Sequence, residues 1–115
     1  MHELSIAISI VEIVEEEARQ AGAHAIDKVH LEIGSLSGVM PDALEFAMKE
    51  AVIGTSLQNS NIEIDFIQAV AVCEDCCQEF ETTDHYKACP FCNSLNTNFI
   101  KGKELKIKSI EISQN

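Results

Sequence analysis

Apolar residues recur at three- and four-residue spacing over residues 4–21: Ala7, Ile10, Val11, Val14, Ala18 and Ala21. That spacing predicts an amphipathic helix. Glu12, Glu15, Glu16 and Arg19 fall mostly on its solvated side, and Gly22 stands where a left-handed residue closes a helix. Over residues 26–34 the period drops to two. Val29, Leu31 and Ile33 alternate with Lys28, His30 and Glu32, which predicts a half-buried strand. Residues 34–38 read as a loop. Pro41 suits the first turn of a second helix, with Asp42 at its positive end and Leu44, Ala47, Met48 and Ala51 as its buried stripe. A turn-rich stretch from Gly54 to Asn61 ends it. Residues 62–72 alternate again through Ile62, Ile64, Phe66, Val70 and Val72, a single strand running into Cys73. The last strand covers 104–112. Its apolar parity switches from Leu105 and Ile107 to Ile110 and Ile112, which predicts a bulge near Lys108–Ser109. The fold class is therefore α+β: a small mixed domain of two helices and a three-stranded sheet, with residues 73–100 inserted between two strands that can pair in one sheet.

The insertion carries the clearest chemistry. Cys73-Glu-Asp-Cys76 and Cys89-Pro-Phe-Cys92 are two C-x-x-C turns twelve residues apart. Each turn lets two sulfurs converge, and two turns complete a four-thiolate tetrahedron with no open position. Soft ligands in that geometry select zinc, or iron as in a rubredoxin-like electron carrier. A closed shell is structural, and the segment needs one, because its large apolar residues are too few to offset chain entropy. Cys77 sits where such knuckles often carry glycine; it is a spare thiol or an alternative to Cys76 as ligand. His85 lies between the knuckles, within approach of the site, and reads more simply as an exposed loop histidine.

Composition narrows the class. With 115 residues, a net charge of −11 and 46% hydrophobic content, the chain is neither a disordered acidic tail nor a typical duplex-DNA or anionic-membrane binder. Lys101, Lys103, Lys106 and Lys108 form a local basic stretch, read as a charged strand face or a protein-docking patch. No stretch of 18 apolar residues and no signal-peptide pattern is visible, so a cytoplasmic protein is expected, where paired cysteines suggest metal before disulfide. No nucleophile–base constellation, P-loop or open metal site argues for an enzyme.

The first residues are Met1-His2-Glu3. A bulky second residue keeps the initiator methionine in place. The Met1 amine, the His2 amide nitrogen and the His2 imidazole can then close fused chelate rings, a nitrogen-rich set suited to Ni(II) or Cu(II), with Glu3 offering an oxygen beside it. Alone this signal is weak, since a histidine at position two is common by chance.

The chain as a whole resembles the HypA/HybF family. The resemblance rests on Met1-His2-Glu3-Leu4-Ser5, the strand ending Ile33-Gly34, the helix start Pro41-Asp42-Ala43-Leu44-Glu45-Phe46, and a two-CxxC insertion followed by Glu104-Leu105. It implies a nickel metallochaperone of [NiFe]-hydrogenase maturation that works with the nickel-binding GTPase HypB and helps load the hydrogenase large-subunit precursor. It implies Ni(II) as cargo held by His2, Met1 and Glu3, with Asp42 a further candidate that does not register securely. It implies structural Zn(II) on Cys73, Cys76, Cys89 and Cys92, and no catalysis. The expected organisation is a nickel-binding domain of residues 1–72 and 101–115 with an inserted zinc module of 73–100. The competing reading is a zinc-ribbon nucleic-acid or protein-binding module without nickel function.

Overall fold

The computed structural model describes residues 2–85 and 88–113. Helix α1 spans His2–Gln20 and strand β1 Ala25–Gly34; helix α2 is Pro41–Ala51. Strands β2 (Asn61–Ile67), β3 (Val70–Cys73), β4 (Glu79–Glu81), β5 (Thr97–Lys101) and β6 (Leu105–Ser113) follow. They form two three-stranded sheets, ordered β2-β1-β6 and β4-β3-β5. The class is α+β. No helix among the described residues is long and apolar enough to cross a membrane.

The first sheet is built on β1. Its partner β2 runs parallel, so the chain needs a crossover, and α2 supplies it. On its other side β6 runs antiparallel. Val29, Leu31 and Ile33 are fully buried and share one core with Ala7, Ile10, Val11, Val14 and Ala18 of α1 and Leu44, Ala47 and Met48 of α2. The opposite face of the sheet is ionic: Lys28 meets Glu63 at 3.1 Å, His30 meets Asp65 at 2.8 Å and Lys106 meets Glu32 at 3.3 Å. One helical layer therefore closes one face, and the charged face needs no cover.

Helix α1 begins at His2, two residues earlier than the periodicity predicts. It ends as a Schellman motif. Gly22 adopts φ 73°, its N–H donates to the Arg19 carbonyl, and the Ala23 N–H reaches the Ala18 carbonyl at 3.0 Å. Ala21 is exposed rather than part of the buried stripe. Glu15 is not merely solvated. Its carboxylate accepts the Ser56 backbone N–H at 3.0 Å and the Ser56 hydroxyl, which hold it below the usual carboxylate range.

The predicted bulge is present. His30 faces Ser109 and Leu31 faces Ile107, so Lys108 is the extra residue in β6; a second shift makes Asp27 the extra residue in β1. The long strand over 62–72 is a different matter. It is two strands in two sheets, broken at Gln68–Ala69. In the second piece the buried residues are Ala71 and Cys73, not Val70 and Val72. The alternation ran unbroken because both pieces are half-buried on one side, while the side that is buried changes at the break. The strands flanking the insertion also do not pair with each other, since β1 lies between β2 and β6.

Three chain segments cross where the sheets meet. The Gly34 N–H donates to the Glu104 carbonyl at 2.7 Å, the Leu36 N–H to the Gly102 carbonyl at 2.7 Å, and the Ala69 N–H to Ser35 Oγ at 2.9 Å. Glycine is required at this crossing. A Cβ on Gly34 would lie 2.1 Å from the Gly102 carbonyl oxygen, and one on Gly102, at φ +116°, would lie 2.3 Å from the Ala69 Cα. Both obstacles are backbone. Gly34→Ala should therefore destabilise the chain by about 3 kcal/mol. A urea-unfolding midpoint unchanged from the parent would show that the crossing opens freely.

Candidate metal site

The two C-x-x-C turns fold by the same local rule. The Cys77 N–H donates to the Cys73 carbonyl and the Asn93 N–H to the Cys89 carbonyl, each at 2.8 Å. The chain then turns through left-handed residues, Cys77 at φ 66° and Asn93 at φ 67°. It returns so that the Cys73 N–H meets the Gln78 carbonyl and the Cys89 N–H the Ser94 carbonyl. Backbone N–H groups aim at the sulfurs, Cys76 at Cys73 Sγ (3.5 Å) and Phe91 at Cys89 Sγ (3.4 Å). The knuckles are tied together at their rims: Ser94 Oγ donates to Asp75, and Asn98 donates to Glu74.

The result is a quartet. The sulfurs of Cys73, Cys76, Cys89 and Cys92 all lie within 4.8 Å of one another. Cys73 and Cys92 are 3.5 Å apart, and Cys76 and Cys89 are 3.6 Å apart. A tetrahedron with metal–sulfur bonds of about 2.3 Å has edges of about 3.8 Å, so the donor set fits a tetrahedral ion. All five cysteines are free thiols rather than disulfides. Cys73 and Cys89 are buried, Cys76 is half-buried and Cys92 is exposed. The shared protons polarise the set. The Cys76 backbone N–H brings the Cys73 thiol down to about 7. At Cys92 the Ser94 N–H pulls downward, but the hydrogen bond with Cys73 and the neighbouring thiols outweigh it and push the group up to about 12. Four sulfurs that compete for protons at this spacing are arranged for a soft cation.

Cys77 stands outside the quartet and is exposed. His85 is not in the quartet either; its ring meets the edge of Phe99 at 6.3 Å between centroids. Among the described residues, the cysteines are the one group of three or more metal-ligating side chains that converge.

The N-terminal motif is arranged differently. Met1 lies outside the described residues. His2 is exposed and opens α1. Glu3 is half-buried, and its Oε2 accepts the Met40 N–H at 3.4 Å. Met40 is the residue that caps α2, and no side-chain hydrogen bond of its own serves that cap. Glu3 thus lies at the start of α2, where Asp42 is exposed in the first turn. No local signal announces the Glu3–Met40 contact, because the two residues are 37 positions apart.

A family model described as "Hydrogenase/urease nickel incorporation, metallochaperone, hypA" matches residues 1–112. The chain belongs to the HypA family. The Hydrogenase maturation factor HypA of Parabacteroides distasonis is 45% identical over 114 residues, spanning 99% of each chain. That of Chlorobium limicola is 42% identical over 99% of this chain and 98% of its own. The solution structure of the Ni metallochaperone HypA from Helicobacter pylori superposes over the whole of both chains with a TM-score of 0.68 at 26% identity. A second HypA solution structure gives 0.72 at 26% identity, covering 100% of this chain and 98% of that one. HypA proteins are nickel metallochaperones of hydrogenase maturation, not enzymes, and this member carries a four-cysteine metal site.

Proposed function

We propose that this HypA protein binds Ni(II) at its N-terminus and delivers it to the [NiFe]-hydrogenase large-subunit precursor in the cytoplasm, in concert with the GTPase HypB. The Met1 amine, the His2 amide and imidazole nitrogens and the Glu3 carboxylate are the proposed donors, with Asp42 a further candidate. The observation that carries the reading is the placement of His2 at the head of α1, exposed, with Glu3 beside it. The first N–H groups of a helix have no intrahelical acceptor, so the His2 amide can give up its proton to a metal without breaking a backbone hydrogen bond. The cysteine quartet is proposed to hold structural Zn(II). The working division is a nickel-binding domain of residues 1–72 and 101–115 and a zinc module of 73–100, whose sheet reaches Val70 and Lys101. Partners are proteins, and nucleic acid is not among them.

The experiment is a nickel titration of untagged protein against a form with two residues added before Met1. The extension converts the amine to an amide while leaving every side chain in place. Affinity should fall by about tenfold or more, corresponding to at least about 1.4 kcal/mol. Identical titration curves and nickel spectra for the two forms would remove the amine from the ligand set.

A further inference from the structure

The four converging sulfurs differ in access. Cys73 and Cys89 are buried and Cys76 is half-buried, but Cys92 is exposed, between the exposed residues Phe91 and Asn93. The Cys92 sulfur stands 3.5 Å from that of Cys73, and Cys76 and Cys89 face each other at 3.6 Å. Both contacts run between the two knuckles, not within one. Cys77 is exposed as well, but it lies outside the quartet, so oxidation there leaves all four converging sulfurs intact. Coordination holds a ligating cysteine as thiolate whatever its acidity when free. In the metal-loaded chain, access therefore decides which of the four sulfurs an oxidant meets first.

We infer that Cys92 and Cys73 are a peroxide-responsive pair, converted to a disulfide across the knuckles with loss of the metal. The inference rests on the reading that the quartet holds zinc. The Cys92 thiolate attacks one peroxide oxygen; the O–O bond breaks, hydroxide leaves, and Cys92 becomes a sulfenic acid. The Cys73 thiolate then attacks the Cys92 sulfur. The S–S bond forms as the S–O bond breaks, and a second hydroxide leaves with the electron pair. The two thiolates have given two electrons to the peroxide, and solvent supplies two protons to the hydroxides. Cys76 and Cys89 are left as two thiolates, too few for a closed tetrahedral shell. The new bond still ties one knuckle to the other, so a dithiol reductant can return the quartet to its starting state.

Charge selects the class of oxidant. The chain carries a net charge of −11, and Glu74 and Asp75 are held on the knuckle rim by Asn98 and Ser94, the latter two residues from Cys92. Such a field disfavours an anionic disulfide such as oxidised glutathione and leaves a small neutral hydroperoxide free to approach.

The test treats the zinc-loaded full chain with hydrogen peroxide and follows zinc release with a chromogenic chelator and linkages by non-reducing peptide mapping. Zinc content before oxidant tests the zinc reading by itself; the position of the disulfide tests this inference. Release should accompany a Cys73–Cys92 linkage, reverse with dithiothreitol and added zinc, and be unchanged in Cys77→Ser. Cys92→His, which keeps a zinc-ligating side chain, should slow release by about tenfold or more. Should that variant lose zinc on its own, the linkage map of the parent decides. A first disulfide within one knuckle, zinc retained while only Cys77 oxidises, or release from Cys92→His as fast as from the parent would each overturn the inference. Release by oxidised glutathione as fast as by hydrogen peroxide would overturn the choice of oxidant.

Discussion

Replacing His2 with alanine should abolish specific nickel binding while leaving the fold and the cysteine-bound metal in place. The proposed chelate is local. The imidazole closes the second ring of a set that begins at the Met1 amine and passes through the His2 amide nitrogen. Without the ring there is little to draw the proton from that amide, and the set falls back to isolated donors. A loss of more than about a hundredfold in affinity is expected, larger than the effect of disturbing an outer-shell partner. Stability should hardly move. His2 is exposed, and the buried stripe of α1 begins only at Ala7. Alanine is also the better helix former, so the change should stay within about 0.5 kcal/mol. Isothermal titration with nickel, alongside zinc content and far-ultraviolet circular dichroism, checks all three. Submicromolar nickel affinity in the variant would take His2 out of the site. The sign of the pH dependence follows from the same donors. Amine, amide and imidazole all bind protons in competition with nickel, so parent affinity should fall as the pH is lowered.

The position of Glu3 gives the proposed nickel site a mechanical setting. Its carboxylate accepts the Met40 N–H at the start of α2, where the macrodipole favours negative charge. From Met40 the chain runs back through residues 39–35 to the glycine crossing, where Leu36 and Ser35 bond to Gly102 and Ala69. Six residues therefore connect the proposed nickel end to the junction with the second sheet. A metallochaperone must release its cargo, and a site of few local donors on one helix end is easily dismantled by a partner that competes for them.

Local pattern was enough for what is local. The helix stripe, the β1 alternation, the Pro41 helix start, the Gly22 closure and the Lys108 bulge are each written in a few neighbouring residues, and so are the two knuckles. Cys77, which stands where such knuckles often carry glycine, adopts positive φ, and so does Asn93 in the second knuckle. What failed was what depends on distant partners. Ala69 breaks the 62–72 alternation because Gly102, thirty-three residues on, presses against it. Leu57 is fully buried although it sits in a turn-rich stretch, since the core beneath it comes from other elements. Glu15 reads as a surface charge until Ser56 is placed beside it. The proposed nickel motif is three residues long, and pattern alone does not separate it from chance; the match of the whole chain to the family supports the proposal.

Stripping the metal from the cysteine quartet should unfold the second sheet and spare the first. The buried set around the quartet is Ala71, Cys73, Phe80 and Cys89, and two of these four belong to the quartet itself. That is too little apolar surface to hold some thirty residues against their chain entropy. Structural zinc contributes on the order of 10 kcal/mol to such sites, so the proposed zinc ion would be the dominant stabilising interaction there. The main core, by contrast, takes its buried residues from Ala7 through Leu57 and none from the knuckles. A chelator, or Cys89→Ser, should therefore remove amide-exchange protection from β3, β4 and β5 by at least about a hundredfold while β1 and both helices keep theirs. Retained protection in all six strands after metal removal would mean that the module stands without it. Cys77 offers the matched control. It is exposed, lies outside the quartet and occupies φ 66°, a conformation glycine adopts freely. Cys77→Gly should keep the full metal content and stabilise the knuckle by about 1 kcal/mol, because the left-handed strain of a side-chain-bearing residue is relieved. If Cys77→Gly lost metal instead, the fifth thiol would have to be counted among the ligands and the assignment of Cys76 reopened.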